Sequence, residues 1–463
     1  MNAVDDITPE LSSRSRSSEH GDPTWLFMIV TAGLIVGSIV QLLSPHYGVN
    51  DGSRWNTVYY LVEHGTYEYL PDHDAWWGNP YPTSPAEVPP FRTIDMIRVP
   101  DAQGQQHYYS SKPPFLPTCL AGVVWLIEKA TFGAADFRKH PYFIIRTTLI
   151  LVQVIPLFVC FWMILKYIRR QDDTPFVRNF CAAAVTFGTY LTAWVVTLNN
   201  HTIAACAAFL TVYTAIRICY DDQRQAYRFA VVGFGAVFTA FCELPAGLLA
   251  IALLTILLMK DQRKTLLFGL PAAALPTAVG LYANYVVTGS ILPAYVQIHK
   301  KAGFYDWPGS PWINLTAQEA LNDPKLLYLF NMLLGHHGFF ILTPVLIICL
   351  IGLVRHLRQG PDKRRALAAG TLVLTSVIVA VYVMTTHNYG GATKGSRWLF
   401  WLIPFWLLFL ADGVRWLATN RSGRFACYAC LAVSAMSVGD AMRWPWGVSW
   451  LQDIFRQLHW IDF

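Results

Sequence analysis

The sequence predicts an all-α polytopic membrane protein, a bundle of about eleven transmembrane helices with an embedded amphipathic helix in its first outer loop. Of its 463 residues, 54% are hydrophobic and only 14% are charged, whereas soluble domains carry about 25% charged residues. Apolar stretches of membrane-spanning length recur along most of the chain. Lysine and arginine cluster between these stretches, so the net charge of +6 indicates membrane topology rather than nucleic-acid binding.

The elements follow one another after a polar tail at residues 1–22, which we expect to be cytoplasmic and disordered. The membrane domain is predicted over residues 23–440, and the Trp-rich segment 441–463 is expected at the membrane interface. Two long polar loops, 44–141 and 288–332, interrupt the membrane domain. The predicted spans are residues 25–43, 142–166, 179–197, 202–218, 228–242, 246–259, 266–287, 333–354, 366–386, 398–417 and 424–440.

The sidedness of the bundle follows from its basic residues, which occupy alternate loops. The positive-inside rule places these loops in the cytoplasm, with the N-terminus inside, the C-terminus outside and both long polar loops outside. Residues 115–132 are apolar and would form a helix about 27 Å long. If that helix spanned, every later basic loop would move outside. We therefore predict an embedded helix, and a true span with one later miscount stays open as the alternative.

The first outer loop carries a candidate residue at each end. Asp51, in the sequence Asn-Asp-Gly, is either a turn former or a general base or metal ligand held at the membrane surface. Lys112, followed by two prolines, begins the embedded helix. It is either an interfacial lysine that reaches lipid headgroups or a cation fixed near a lipid-borne phosphate. The loop therefore predicts a site with a carboxylate and a cation.

Three polar residues near apolar segments are possible acceptor or metal ligands. A carboxylate in a membrane segment, as at Glu243, costs at least roughly 2.5 kcal/mol and is by default a functional hypothesis. An outer-edge residue at a helix hairpin would have the same sequence pattern. Asn200 is an ordinary helix cap, and His201 is either structural or able to bind an acceptor or metal. A divalent metal ion is possible, and no cofactor is certain.

A glycine-rich loop before the tenth span supplies two more cations, Lys394 and Arg397. Basic residues are unexpected on the outer face by the positive-inside rule. A guanidinium pairs bidentately with phosphate, which gives a reason for their presence. We predict that Lys112, Lys394 and Arg397 bind a lipid phosphate, and the alternative is a flexible loop with flanking basic residues.

Taken in chain order, these motifs resemble those of the GT-C superfamily of membrane glycosyltransferases, which includes protein O-mannosyltransferases and bacterial aminoarabinose transferases. The first motif is Asp-Gly-Ser-Arg-Trp from Asp51, and the second, Tyr-Tyr-Ser-Ser-Lys-Pro-Pro-Phe around Lys112, lies about sixty residues later. Weaker motifs begin at Gly289, Gly338 and Gly390. Together they cover most of the chain.

The resemblance implies transfer of a sugar from a polyprenyl-phosphate donor to an acceptor hydroxyl on the non-cytoplasmic face. It implies that Asp51 engages the acceptor or a metal, that Lys112 lies near the lipid phosphate, and that Arg397 matches a basic residue of a late motif. This sequence departs from the pattern at Ser111, where aminoarabinose transferases have glutamate. A further acidic residue common in relatives is replaced by Asn200 or His201, so metal dependence stays open.

The expected partners are the polyprenyl-phosphate sugar, membrane lipids, and a glycan, lipid or protein acceptor. The expected location is the bacterial inner (plasma) membrane, crossed many times, with the active site facing outward. One alternative is a polyprenyl-lipid transporter or flippase, which would need polar groups near the midplane and symmetric halves. No internal repeat is visible in the sequence. The other alternative is a non-catalytic membrane scaffold.

Overall fold

The structure, a computed structural model, describes residues 23–42, 48–69, 93–170, 174–297, 303–307, 310 and 320–461. The tail 1–22, the middle of the first long loop and much of the second lie outside the described residues, so the disorder expected for the tail stays a prediction.

The described chain folds mainly into helices, as predicted. Its helices are α1 (Thr24–Leu42), α2 (Val49–His64), α3 (Phe115–Ala130), α4 (Pro141–Arg169), α5 (Pro175–Phe187), α6 (Tyr190–Val196), α7 (Asn200–Cys219), α8 (Ala226–Cys242), α9 (Leu244–Lys260), α10 (Gln262–Thr288), α11 (Lys325–Leu333), α12 (Val345–Gln359), α13 (Asp362–Thr385), α14 (Arg397–Leu407), α15 (Leu410–Leu417), α16 (Arg421–Arg443) and α17 (Trp450–Gln457). Two strands, β1 (Met96–Pro100) and β2 (Gln106–Ser110), form one hairpin.

The helices confirm an all-α polytopic membrane protein. Within the described residues, six helices are long and apolar enough to cross a bilayer: α1, α4, α7, α10, α13 and α16. Two bent pairs, α5 with α6 and α14 with α15, bring the number to eight, with bends of 42° and 68°. The remaining three predicted spans coincide with the shorter helices α8, α9 and α12. Every predicted span therefore matches a helix or a bent pair.

The span predicted at 333–354 is wrong in its first half, because α12 begins only at Val345. Residues 334–344 form turns instead. The chain packs tightly here: a Cβ on Gly335 would lie 2.3 Å from the side-chain oxygen of Asn331. Pro344 then precedes the helix and supplies its N-cap. Hydropathy alone cannot distinguish an apolar turn of this kind from a helix.

The first polar loop contains regular structure that the sequence did not predict. Helix α2 begins after Gly48, where Asp51 accepts the backbone N–H of the cap residue, and ends at Gly65 with φ of +66°. Beyond α2, the β1–β2 hairpin pairs Met96 with Ser110. It is held to the second long loop by a hydrogen bond from the Arg98 backbone N–H to the Phe304 carbonyl at 2.7 Å. The described parts of the loop are therefore folded.

A helix is present over Phe115–Ala130, as predicted, and its embedded position stays a prediction. It packs against α2, α8 and α10. One side buries Phe115, Leu120 and Val124, while Trp125 and Leu126 are exposed on the other. At 16 residues it is shorter than the helices that meet the length for a span. This amphipathic arrangement matches a helix that lies among the bundle helices with one apolar side turned outward.

Candidate active site

The first turn of α2 holds Asp51 in a fully buried position. One carboxylate oxygen accepts the backbone N–H groups of Gly48 and Gly52, at 2.9 and 3.1 Å. The other accepts the hydroxyl of Thr197 at 2.8 Å. Helix N-termini stabilise carboxylates through their N–H groups and the positive end of the helix dipole. The prediction that Asp51 lies in a loop turn is therefore wrong: it is a helix-start carboxylate with a fixed orientation.

A polar network runs from α2 to the start of α7 and the α8–α9 junction. Arg54, one turn after Asp51, donates to the side-chain oxygen of Asn200 at 2.7 Å. Asn200 donates its amide N–H to Glu243 at 2.7 Å. Glu243 also accepts a short hydrogen bond from Nδ1 of His201. All three predicted acceptor or metal residues thus belong to one buried network, and Arg54 joins it to the helix that carries Asp51.

The β-hairpin delivers Lys112 to the same helix. Ser53 of α2 donates to the carbonyl of Asp95 at 2.6 Å and shares a hydrogen bond with the Ser110 hydroxyl. Asp95 forms an ion pair with Lys112 at 2.9 Å, and their side chains are 7% and 18% exposed. The hydroxyl of Ser111 is buried with no hydrogen-bond partner among the described residues. Lys112 is therefore neutralised by a carboxylate that the sequence analysis did not single out.

Arg397 reaches the site at the start of α14. Its guanidinium lies over the ring of Trp446, 5.0 Å from the centroid. The indole N–H of Trp446 donates to Thr197 at 3.0 Å, and Thr197 in turn donates to Asp51. Gly390 allows this approach, because its φ is +111° and a Cβ would lie 3.0 Å from Nε of Arg397. A chain of contacts thus joins the late glycine motif to Asp51.

Lys394, in contrast, is tied to the end of α16. Its ammonium pairs with Asp440 at 2.5 Å and also donates to the Asp440 backbone carbonyl at 3.1 Å. Its side chain is only 9% exposed. The backbone N–H of Lys394 donates to Pro445. These contacts fix the loop before Arg397 and neutralise the charge of Lys394.

The electrostatic surroundings of Lys112 link the parts of the site. Burial lowers the pKa of Lys112 from its ordinary value, the Asp95 carboxylate opposes this effect, and the charges of Arg54 and Arg397 lower the pKa further. Within the described residues, the site gathers three cations, Arg54, Lys112 and Arg397, and three carboxylates, Asp51, Asp95 and Glu243. An added phosphate would therefore compete with internal carboxylates for the cations.

The part of the chain that the structure describes contains no group of three or more His, Cys, Asp or Glu side chains placed to hold a metal ion. Asp51 is engaged by two backbone N–H groups and a hydroxyl, and Glu243 by an amide and an imidazole. The described residues therefore do not fit a divalent metal site, and no step proposed below uses one.

Sequence reasoning missed Arg54, Asp95, Thr197 and Trp446. Arg54 could have been predicted, because it follows Asp51 by three residues, and residues at that spacing share one face of a helix. The Asn-Asp-Gly sequence indicated a turn, so that helix was not predicted. The other three lie in unrelated segments. Nothing in their local sequence marks them as partners of Asp51 or Lys112.

No protein-family model matches this sequence, and no curated protein matches it either. Among solved structures, the fold is similar to two crystal structures of ArnT from Cupriavidus metallidurans, one in the apo state and one bound to undecaprenyl phosphate. The apo structure has a TM-score of 0.47 and 11% sequence identity, and the match covers 90% of this chain and 75% of the ArnT chain. For the structure with undecaprenyl phosphate, the TM-score is 0.44 and the identity 12%, and the match covers 91% of this chain and 76% of the ArnT chain. ArnT is an aminoarabinose transferase, one of the enzyme groups that the sequence motifs resemble. At these scores the likeness assigns no activity to this chain.

Proposed function

We propose that this protein is a glycosyltransferase that moves a sugar from a polyprenyl phosphate to an acceptor hydroxyl on the non-cytoplasmic face of a bacterial inner membrane. The observation that carries the proposal is the convergence of Asp51, Lys112 and Arg397, which are far apart in sequence, through the contacts around α2. The reaction needs a base for the hydroxyl and cations for the phosphate. This site offers both.

The phosphate of the donor is proposed to bind at the start of α3. No side chain of the described residues caps this helix N-terminus, and such termini favour anions. Lys112 precedes it by three residues and lies beside Tyr67 and Tyr109, which must move apart to admit a phosphate. The buried Ser111 hydroxyl, which has no partner among the described residues, adds a donor. A phosphate here would take Lys112 from Asp95 and give Ser111 a hydrogen bond.

The reaction is proposed as a direct displacement. The acceptor oxygen forms a bond to the anomeric carbon, and its proton passes to the Asp51 carboxylate. The bond from that carbon to the phosphate oxygen breaks, and the electron pair leaves on the polyprenyl phosphate. Attack opposite the phosphate inverts the anomeric centre. Because Asp51 is fully buried and bonded to Thr197, the acceptor hydroxyl must displace the Thr197 hydroxyl from the carboxylate.

The remaining residues are proposed to assist these two groups. Arg397 stabilises charge that develops on the leaving phosphate. Lys394 must break its ion pair with Asp440 before it can contact that phosphate. We therefore expect Lys394 to contribute less than Arg397 to phosphate binding. The network of Asn200, His201 and Glu243 adjoins α2 through Arg54, and we assign acceptor binding to it.

The test is transfer of radiolabel from polyprenyl-phosphate sugars to acceptors in membrane extracts, with the purified full chain. Asp51→Asn keeps one oxygen that accepts the Gly48 and Gly52 N–H groups, but it removes the negative charge that lets the carboxylate act as a base. We expect it to bind the donor and lose transfer by roughly 10²-fold or more. Lys112→Gln should weaken donor binding as well as transfer.

Lys129→Gln, at the other end of α3, is the matched control, and we expect wild-type activity from it. If Asp51→Asn and Lys112→Gln both retained full transfer, the proposal would fail. If the wild-type chain bound polyprenyl phosphate but never released sugar from the donor, a transporter or scaffold would be favoured instead. Thermal unfolding of each variant separates loss of activity from loss of fold.

A further inference from the structure

A half-open cleft of about 420 Å³ lies along one face of α12 and is bordered by Trp416 of α15; the proposed transferase site does not use its residues. This volume lies within the range of 300–1,000 Å³ typical of ligand sites. The floor of the cleft is apolar and its rim is basic and aromatic. The floor is formed by Leu350, Ile351 and Val354, and the rim includes Arg355, Arg358 and Trp416.

The two arginines at the rim have no acidic partner in the described part of the chain. Arg355 lies over the ring of Trp416, 5.9 Å from its centroid, and both arginines are exposed. Neither forms an ion pair with a described residue. They stand three residues apart, so they share one face of α12. An anion that binds these guanidinium groups would therefore come from outside the described protein.

The nearby carboxylate, Asp412, is already engaged on the other side of α12. It pairs with His356 at 2.7 Å, with Arg415 at 3.3 Å and with Arg364 at 3.8 Å. The basic residues near the C-terminus of α12 thus form two sets. One set surrounds Asp412, and the other faces the open cleft with no internal counterion.

We propose that this cleft binds an anionic phospholipid, with its phosphate on Arg355 and Arg358 and an acyl chain along Leu350, Ile351 and Val354. Guanidinium groups match phosphate geometry, and a tryptophan at the rim suits the boundary between headgroup and hydrocarbon. Basic pockets between membrane helices are suited to acidic lipid headgroups. A free phosphate would need the arginines but not the apolar floor, so the floor selects a lipid. This site does not depend on the proposed transferase activity.

The test uses the full chain, purified in a neutral maltoside detergent, and native mass spectrometry to measure lipid affinity. Phosphatidylglycerol and phosphatidylcholine with identical acyl chains are titrated in parallel. Arg355→Gln combined with Arg358→Gln should weaken phosphatidylglycerol binding roughly thirtyfold, or about fivefold for each arginine, which corresponds to ~1 kcal/mol per basic residue. Affinity for phosphatidylcholine should change less than twofold.

Arg228→Gln is the matched control, because Arg228 also lies over a ring, that of Tyr227 at 5.1 Å, but does not line this cleft. It should leave phosphatidylglycerol affinity within twofold of wild type. Ile351→Trp fills the floor while keeping both arginines, and it should reduce phosphatidylglycerol binding at least tenfold. Equal affinity for the two lipids, or unchanged affinity in the double variant, would overturn the proposal. Saturation by glycerol phosphate, which has no acyl chain, would identify a free-phosphate site and also overturn it.

Discussion

The ion pair between Asp95 and Lys112 offers the sharpest test of the site, because the two residues flank the open end of the hairpin, where Met96 pairs with Ser110. Asp95→Asn removes one charge and leaves the shape of the side chain. The backbone carbonyl of residue 95 still accepts Ser53 and the N–H of Ser111. The substitution therefore leaves Lys112 beside the positive charges of Arg54 and Arg397 without its carboxylate.

The size of the effect follows from the geometry of the pair. At 2.9 Å, two unit charges attract by about 6 kcal/mol at an effective dielectric constant of 20, before any desolvation cost. Removing one partner of a buried pair costs about 3–5 kcal/mol. Because the Lys112 side chain is 18% exposed, water screens it partly, and we expect a loss near the lower end, about 3 kcal/mol.

The assay is thermal unfolding of the purified chain with and without polyprenyl phosphate. The phosphate should supply the anion that Asp95 no longer provides, so it should stabilise Asp95→Asn more than wild type. Asp136→Asn is the control, since its pair with Lys139 is 3.9 Å long and the Lys139 side chain is 73% exposed; it should cost about 1 kcal/mol or less. Equal or weaker stabilisation of Asp95→Asn by the ligand would refute phosphate binding at Lys112.

Two further perturbations address the segments around the site. Gly390→Ala places a Cβ 3.0 Å from Nε of Arg397 at φ of +111°, so we expect a cost of about 1–3 kcal/mol and a large loss of transfer activity. Gly391→Ala is its control, because φ is +78° there but the added Cβ meets nothing within 4 Å; equal activity losses would contradict a role for Arg397. In the hairpin, the hydrogen bond with Glu68 raises the pKa of His107 above its ordinary value of 6.5. The folded state therefore holds the proton more tightly, and this stabilisation is complete below about pH 6.5 and is lost as pH rises through the raised pKa. Hydrogen-exchange protection factors of residues 96–110 should fall over that range in wild type but not in His107→Gln, and a flat wild-type profile would disprove the linkage.

The sequence alone located the membrane bundle well. Each predicted span overlaps a helix or a bent pair, the span at 333–354 only in its second half, because apolar runs such as 142–166 are a local feature of composition. Bends were not predictable from that pattern. The break before Leu410, where α14 and α15 meet at 68°, depends on packing rather than on hydropathy.

For the candidate site too, the sequence predicted some residues and only the structure revealed others. Asp51, Lys112 and Arg397 were singled out from sequence by position: Asp51 follows the first span, Lys112 starts the embedded helix, and Arg397 is a cation unexpected on the outer face. Asp95 was not, since it lies in a polar loop where carboxylates are ordinary. Its importance arises only when the hairpin docks on Ser53 and brings it to Lys112.

The sequence by itself predicted which apolar helices can cross a membrane and which charged motifs border the predicted outer face. Only the tertiary structure decided the partner of each charge: Lys112 with Asp95, Lys394 with Asp440, and Arg397 with the ring of Trp446. Hydropathy is a local property, so a short window of sequence contains it. Charge pairing depends on which distant segments the packed helices bring within a few ångströms, and no local window contains that information.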